Sequence, residues 1–509
     1  MFKSYRRNQF LFATLLIAFL YGCSSTGSIE PRAPKSVSHH YGYQEGSRLD
    51  ALFHQSDYDT DTHTGFVPLI QGHDALLARL SLIETAETSI DLQYYIYRDD
   101  ETSQLLTWRL YEAAKRGVRV RLLLDDMQKR SDRGMATLDA HPNIQVRLFN
   151  PHQYRTARGV AFLSDFERLN RRMHNKSITA DSVVSIVGGR NIGNEYFSFE
   201  SNVEFGDFDL LLYGNTVEQT ADQFDIYWNS EYAEPIKWIY PNSRVLSKEA
   251  IKTLLEDTDL EKKFSTGEYN FTKLPFYQKL TEHDFTLYWG PAKLWYDMPD
   301  KVSGESSQLV DNLIGLLSSV EESLVLVTPY FVPTQSGTEA LVDAVQSGKS
   351  ITVITNTLAS NDVFAVHGWY AKYRQDLVEG GVDLWEIKAS ANIDSKWSFT
   401  GSSRSSLHAK AMLLDDNKIF VGSMNWDPRS AFLNTEMAVV IEQPEYVQHS
   451  LSRMKQQLSA NAYKVVVQDG KVVWYDPATG EILTSEPEAS VWRRMGAWVS
   501  GLLPIEAQL

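Results

Sequence analysis

Cysteine is nearly absent from this chain: among 509 residues there is one, Cys23. It has no partner for an internal disulfide, so no disulfide framework holds the fold. Positive charge is also in deficit. Forty-nine Lys and Arg stand against 65 Asp and Glu, a formal net charge of −16. That argues against a sequence-independent nucleic-acid binder, which needs a broad basic face, and no nucleic-acid partner is expected. A small basic pocket stays compatible with it. Arg155, Arg158, Arg168, Arg171 and Arg172 crowd one stretch, either as such a pocket or as a solvated helix face. Long apolar runs are missing too. The run from Phe10 to Tyr21 is twelve residues, short of the roughly 20 that span a bilayer comfortably. What is present is a globular composition, 43% hydrophobic and 12% aromatic, in a chain longer than one core usually organises, so two domains are expected.

The N-terminus has the order of an export signal. Lys3, Arg6 and Arg7 precede the apolar run, and Gly22-Cys23 closes it. The stretch FLYGCSS resembles the lipobox of bacterial lipoproteins, which implies cleavage that leaves Cys23 as a lipidated first residue. The alternative is an uncleaved, short membrane anchor. Either holds the chain at a membrane. Ser24 after the cysteine, where Asp would signal the inner membrane, implies a periplasm-facing lipoprotein of the outer membrane.

The chain repeats itself once. Arg171 to Asn191 reads RRMHNKSITADSVVSIVGGRN, and Ser406 to Asn425 reads SLHAKAMLLDDNKIFVGSMN. His174, Lys176, Asp181, Gly188 and Asn191 recur as His408, Lys410, Asp415, Gly422 and Asn425, each 234 positions on. Both copies are followed by Asn-x-Glu, ending at Glu204 and at Glu436. The surrounding pattern repeats as well. Asp74 to Ala86 has helical periodicity, with Asp74 as a candidate cap. Ser89 to Tyr97 reads as a strand, Thr102 to Gly117 as a helix, and Val118 to Leu124 as a strand. SSQLVDNLIGLLSSV, SLVLVTPYFV, TEALVDAVQSG and SITVITN replay that order. Strand, helix, strand at this spacing predicts βαβ units and a mostly parallel or mixed sheet flanked by helices, once per half. The expected layout is a signal segment 1–23, a tether 24–65, α/β domains at 66–245 and 286–465 joined by 246–285, and a tail 466–509. The tail starts with a hairpin centred on Asp469-Gly470. Beyond it Trp492, Met495, Trp498, Val499 and Leu502 share one helical face, either docked on the body or lying in a membrane interface.

Each motif reads as strand, turn, strand, so alternation sets the imidazole and the ammonium of His174 and Lys176, and of His408 and Lys410, on one face. An ammonium repels a cation, so this is a poor metal site, and no metal or cofactor is expected. It suits an anion. Two copies facing each other give the inventory for a tetrahedral phosphate: one neutral imidazole to attack phosphorus, one protonated imidazole to supply the leaving alcohol with a proton, and lysines and asparagines on the oxygens. Gly188-Gly189 and Gly422-Ser423 would let backbone approach the ligand. Glu204 and Glu436 are candidates for holding the second nitrogen of each ring. Asp181 and Asp415 either help bind substrate or hold the turn, and the residues favour the turn.

The paired motif H-x-K-x4-D-x6-G-[GS]-x-N resembles that of the phospholipase D superfamily at every fixed position, over most of Phe66 to about Gln456. The resemblance implies two tandem phospholipase D-like domains with the active site at their pseudo-two-fold interface. It also implies metal-free catalysis through a phosphohistidine on His174, with His408 as acid and then base, Lys176, Lys410, Asn191 and Asn425 on the phosphoryl oxygens, and Asp181 and Asp415 completing the catalytic set. DFERLNRRMHNKSI, GGRNIGNEYF, FDIYWNS and LLPIE look most like bacterial cardiolipin synthases. That implies transfer of a phosphatidyl group to phosphatidylglycerol from phosphatidylglycerol or phosphatidylethanolamine, with phospholipids and a membrane as partners and any accessory protein unspecified. The alternatives are a phospholipase D releasing phosphatidic acid, a nuclease of the same superfamily, and a non-catalytic membrane scaffold.

Overall fold

The computed structural model describes residues 34–54, 58–152, 155, 158–198, 204–241, 278–279, 282, 287–391 and 405–509. The signal segment with Cys23 and most of the joining segment 246–285 lie outside them. Ser38–Leu509 form one compact unit.

The first half contributes β1 (His63–Leu69), β2 (Ser89–Tyr94), β3 (Arg119–Asp125), β4 (Ile144–Phe149), β5 (Ser177–Ala180), β6 (Val184–Gly188), β7 (Glu204–Gly206), β8 (Asp209–Gly214) and β9 (Ala233–Pro235). The second contributes β10 (Tyr288–Tyr296), β11 (Ser323–Val327), β12 (Ser350–Asn356), β13 (Asp383–Ile387), β14 (Ser405–Leu407), β15 (Ala411–Leu414), β16 (Lys418–Gly422), β17 (Met437–Glu442), β18 (Ala462–Gln468), β19 (Lys471–Tyr475) and β20 (Ile482–Leu483). Eighteen of these form one mixed sheet. Followed through its pairings, the first half runs β9-β4-β3-β2-β5-β6-β8-β1. The second half mirrors it from β10 through β17-β16-β15-β11-β12-β13-β18. β1 and β10 pair antiparallel at the centre, so the pseudo-two-fold lies between them.

Local chemistry starts and stops the elements. The helix Glu101–Lys115 opens on a capping box made by Asp100 and Ser103, and its apolar face buries Leu105, Leu106 and Leu110 against the sheet. The helix after β1 is Gly72–Thr85, capped at Gln71, with Asp74 inside its first turn rather than at the cap. The expected hairpin is β18–β19, turning on Asp469 and Gly470 at positive φ. The two halves are fused by apolar packing as well. One core cluster combines Phe66, Val187 and Leu210 with Val325, Ile419 and Val439. Burial of this shared core makes the halves one body.

Two short cross-half pairings aim the motifs. β7 and β14 run parallel, and the backbone N–H of His408 donates to Gly206 O at 2.7 Å. The pseudo-symmetric contact is the bridge between Met173 and Thr435, where the N–H of His174 donates to Thr435 O at 2.9 Å. Each histidine is therefore fixed by the backbone of the opposite half.

Candidate active site

His174 and Lys176 lie on an extended segment leading into β5. His408 and Lys410 lie between β14 and β15. All four are buried. Each ammonium turns back to its own motif: Lys176 Nζ donates to His174 O at 2.5 Å, and Lys410 Nζ donates to His408 O while sitting 3.0 Å from His408 Nδ1. Aromatic edges frame the rings, Tyr95 on His174 at 4.9 Å and Tyr196 on His408 at 5.3 Å between centroids.

The carboxylates that hold the rings are exchanged between halves. His174 Nδ1 lies 2.9 and 3.0 Å from the two oxygens of Glu436. His408 Nδ1 lies 2.5 Å from Asp207 Oδ2. Asp207 is held ionised and only accepts, so Nδ1 of His408 carries the proton; Nδ1 of His174 faces Glu436 in the same way, and in both rings Nε2 is the nitrogen left for chemistry. Glu436 is seated in turn by the hydroxyl of Ser423, and its backbone N–H donates to Asp297, which is paired with Lys301 at 2.7 Å.

Glu436 occupies the expected orienting position. The partner of His408 is Asp207, a residue the sequence reading missed, and of Glu204 only the backbone in β7 is described. Strand register explains the miss. Gly188 pairs with Asp209 and Gly422 with Ala438, so the span from glycine to partner is 21 residues in the first half and 16 in the second. The first half has five extra residues here. Counting back two positions from each partner lands on Asp207 and on Glu436.

Glycine at the repeated positions makes room for neighbouring groups of the protein itself. A Cβ on Gly189 would stand 2.1 Å from Asp207 Oδ1, and one on Gly188 would stand 2.2 Å from Asp209 Oδ1. Where the first half has Gly189 the second has Ser423, whose hydroxyl reaches Glu436.

Asp181 and Asp415 stand apart from the pocket, at the far ends of β5 and β15. Asp181 accepts from the backbone N–H groups of Glu87, Thr88 and Ser89, and Asp415 from those of Glu321, Glu322 and Ser323. Both have positive φ and open a tight turn. They hold the loop that enters β2 or β11, which places them outside the catalytic set. Asn191 is tied to His408 through Tyr196: its Oδ1 accepts from the N–H of Ile96 and its Nδ2 donates to the Tyr196 hydroxyl, both at 3.0 Å. Asn425 Oδ1 is buried with no hydrogen-bond partner among the described residues, while the Asn425 backbone N–H donates to the Ser430 hydroxyl at 3.2 Å. The arginine cluster is neither a solvated face nor a phosphate pocket. Arg155 and Arg158 pair with Asp126, Arg168 with Asp165, and buried Arg172 with Asp125 at 3.0 Å. The Arg171 side chain donates to Lys301 O.

The electrostatics are asymmetric. Burial, reinforced by Lys176, Lys410 and His408, holds His174 well below the ordinary imidazole range. Burial and Lys410 also lower His408, opposed by Asp207. Burial pulls Lys176 down to about 7 against the pull of Glu436, with Lys410 adding to the fall. Glu436 is pushed up to about 7 by burial despite Lys176. Asp207 goes the other way: burial would raise it, but His408 and Lys410 outweigh that and hold it below the carboxylate range. The charges of one half reach the ring of the other, so the two motifs share one electrostatic site. Two Nε2 atoms and two ammonium groups fit an anionic tetrahedral centre.

Comparison with known proteins agrees with that chemistry. Residues 80–228 and 313–458 match the family described as cardiolipin synthase, PLD-like domain, one match per half. Cardiolipin synthase C of Escherichia coli (strain K12) is 38% identical over 87% of this chain and 95% of its own length. The major cardiolipin synthase ClsA of Bacillus subtilis (strain 168) is 26% identical over 77% of this chain and 68% of its own. Among solved structures, phosphatidylserine synthase of Haemophilus influenzae Rd KW20 shares the fold at a TM-score of 0.55, with 13% identity over 80% of this chain and 88% of that one.

Proposed function

Because this chain belongs to the cardiolipin synthase family of phospholipase D-like proteins, and is a phospholipid phosphatidyltransferase by type, we propose that it makes cardiolipin through a phosphohistidine, transferring a phosphatidyl group onto phosphatidylglycerol from a second phosphatidylglycerol or from phosphatidylethanolamine. The observation that carries this reading is the exchanged pair of His–carboxylate contacts, His174 with Glu436 and His408 with Asp207. His174 is the nucleophile. Its depressed basicity keeps Nε2 unprotonated at neutral pH, and Glu436 fixes the ring through Nδ1. His408 is lowered less than His174, because the Asp207 beside it opposes burial and Lys410; it is therefore the ring better able to carry a proton, and it protonates the departing alcohol and later accepts the proton of the incoming one. Lys176 and Lys410 steady the phosphoryl oxygens, with Asn425 as their amide partner and Asn191 acting through Tyr196 and the backbone of Ile96.

Membrane attachment belongs to the same reading. No helix among the described residues is long and apolar enough to cross a membrane. We assign attachment to the N-terminal segment on its own composition, with Cys23 as the lipidated residue and a periplasmic leaflet as the working surface. The test is incubation with labelled phosphatidylglycerol and phosphatidylethanolamine. Cardiolipin carrying label is the expected product, and its dependence on each lipid identifies the donor. Phosphatidic acid as the sole product would make water the acceptor and the enzyme a hydrolase.

A further inference from the structure

The helix Val491–Leu502 faces the wrong way for a helix of a water-soluble body. An amphipathic helix on a globular protein buries its large apolar residues. Here Ala497, Ser500 and Gly501 are buried, while Trp492, Trp498 and Leu502 are 77, 66 and 65% exposed and Met495 and Val499 are exposed beside them. The packing explains why. A Cβ on Gly368 would stand 2.1 Å from Ala497 O, and one on Gly501 would stand 2.8 Å from Gly368 O. The helix therefore lies almost backbone to backbone on the helix Phe364–Tyr370, a contact that admits only small side chains. The indoles are left outside by construction, and Phe364, also exposed, extends the same surface beside Gly496.

Two further observations select the occupant. The helix carries Arg493 and Arg494 and no acidic residue, in a chain of net charge −16. Its charge complements an anionic surface, whereas a second copy meeting this face isologously would bring like charges together. The helix is also continuous with the active site. Arg493 Nε donates to Leu358 O at 2.6 Å, and its Nη2 donates to Asn361 O. The next residue, Asp362, accepts from the Tyr330 hydroxyl at 2.8 Å, and its charge bears on His408 and Lys410. Tryptophans on an otherwise apolar face with arginines at its margin are the composition of a helix lying in the headgroup layer.

We propose that the helix Val491–Leu502 is an interfacial helix that seats the mouth of the active site on a bilayer carrying anionic phospholipids. The purpose given to that docking rests on the phosphatidyltransferase reading; the docking itself does not. It delivers a headgroup phosphate to the histidines without the lipid leaving the membrane.

The test uses the full chain bearing Cys23→Ser and Trp498→Cys, labelled at position 498 with a polarity-sensitive fluorophore. With phosphatidylglycerol vesicles the emission should shift to the blue and be quenched by brominated acyl chains, and more weakly with phosphatidylcholine vesicles. A label at Tyr475→Cys, on the hairpin, should stay water-like in both. A label at 498 that remains equally open to iodide with vesicles present overturns the proposal. So does a blue shift that needs no vesicles and grows with protein concentration, which would assign the face to a second copy. Trp492→Ser/Trp498→Ser should keep its melting temperature. It should lose at least tenfold in turnover on phosphatidylglycerol vesicles and stay within twofold on dispersed short-chain phosphatidylglycerol. Equal loss on both substrates overturns the docking role. If the parent chain transfers neither lipid, the phosphatidyltransferase reading fails while the labelling result stands on its own.

Discussion

Asp207→Asn keeps the shape of the group against His408 and removes its charge, and Glu436→Gln does the same for His174. Each carboxylate is buried and lies 2.5 to 3.0 Å from an Nδ1. Each carboxylate sets the tautomer and orientation of a ring that works as nucleophile or acid–base group, a contribution worth on the order of two to four decades in rate. That predicts a loss of roughly two to four decades in kcat/KM for either variant on phosphatidylglycerol. The two losses should then part on a substrate with a nitrophenolate leaving group, which departs with little help from an acid. Stopped-flow release of nitrophenol reads formation of the covalent intermediate as a burst. Asp207→Asn should recover at least tenfold of its deficit in the burst rate, because its impaired ring supplies only the proton. Glu436→Gln should recover none, because its impaired ring is the attacking one. Recovery by Glu436→Gln alone would exchange the two roles. Losses below about threefold in both would refute the claim that the crossed carboxylates orient the rings. Glu204→Gln serves as the internal control and should stay within twofold of the parent; a loss matching Asp207→Asn would refute the register assignment.

Gly189→Ala should mimic Asp207→Asn in turnover, since its Cβ would stand 2.1 Å from the Asp207 carboxylate, with an overpacking cost of about 1–3 kcal/mol by urea unfolding. Asp181→Ala leaves three backbone N–H groups without their acceptor and should cost about 2–4 kcal/mol of stability, while turnover of the folded fraction stays within twofold. Asp415 is held below the ordinary carboxylate range by the N–H groups of Ser323, Glu321 and Glu322, which outweigh its burial. A depressed carboxylate contributes stability above its unfolded pKa, and that contribution is lost as pH falls through its folded value, so Asp415→Asn should flatten the acid limb of a melting-temperature profile below about pH 4. Lys176 is pulled down to about 7 by burial and binds phosphate only as an ammonium. The KM for phosphatidylglycerol should therefore rise as pH climbs above 7, and Lys176→Arg, whose guanidinium stays charged, should remove that rise in a KM-against-pH profile even where kcat is lower.

The parts of the site that could be read from sequence are those carried by rigid elements. His174 to Asn191 and His408 to Asn425 keep identical spacing because β5–β6 and β15–β16 are tight antiparallel hairpins, in which a one-residue slip turns every side chain to the other face. The connection from Gly189 to Asp207 is five residues longer than its counterpart from Ser423 to Glu436, so the local pattern Asn-x-Glu pointed at Glu204 when the structural equivalent of Glu436 is Asp207. Asp181 and Asp415 show the opposite trap. Their spacing is as strict as that of the histidines because the turn needs them, not because the chemistry does. The apolar stripe of the tail was visible as periodicity, but periodicity carries no sign. Gly368, more than a hundred residues earlier, decides that the stripe faces outward.

What no single-half reading could supply is the exchange of partners. The N–H of each catalytic-motif histidine is bonded to the other half, through Thr435 or Gly206, and each Nδ1 meets a carboxylate of the other half. Neither half alone contains an oriented imidazole. A half folded by itself would leave its histidine without the carboxylate that orients it, so the contact between halves is a condition of the chemistry as well as of the core. This also fits the shape of the sheet. Pairing β1 with β10 makes the two halves continuous, and a continuous sheet fixes the distance between the motifs more tightly than two domains docked through side chains could. The duplication is useful because it is not independent: each copy supplies what the other copy's ring requires.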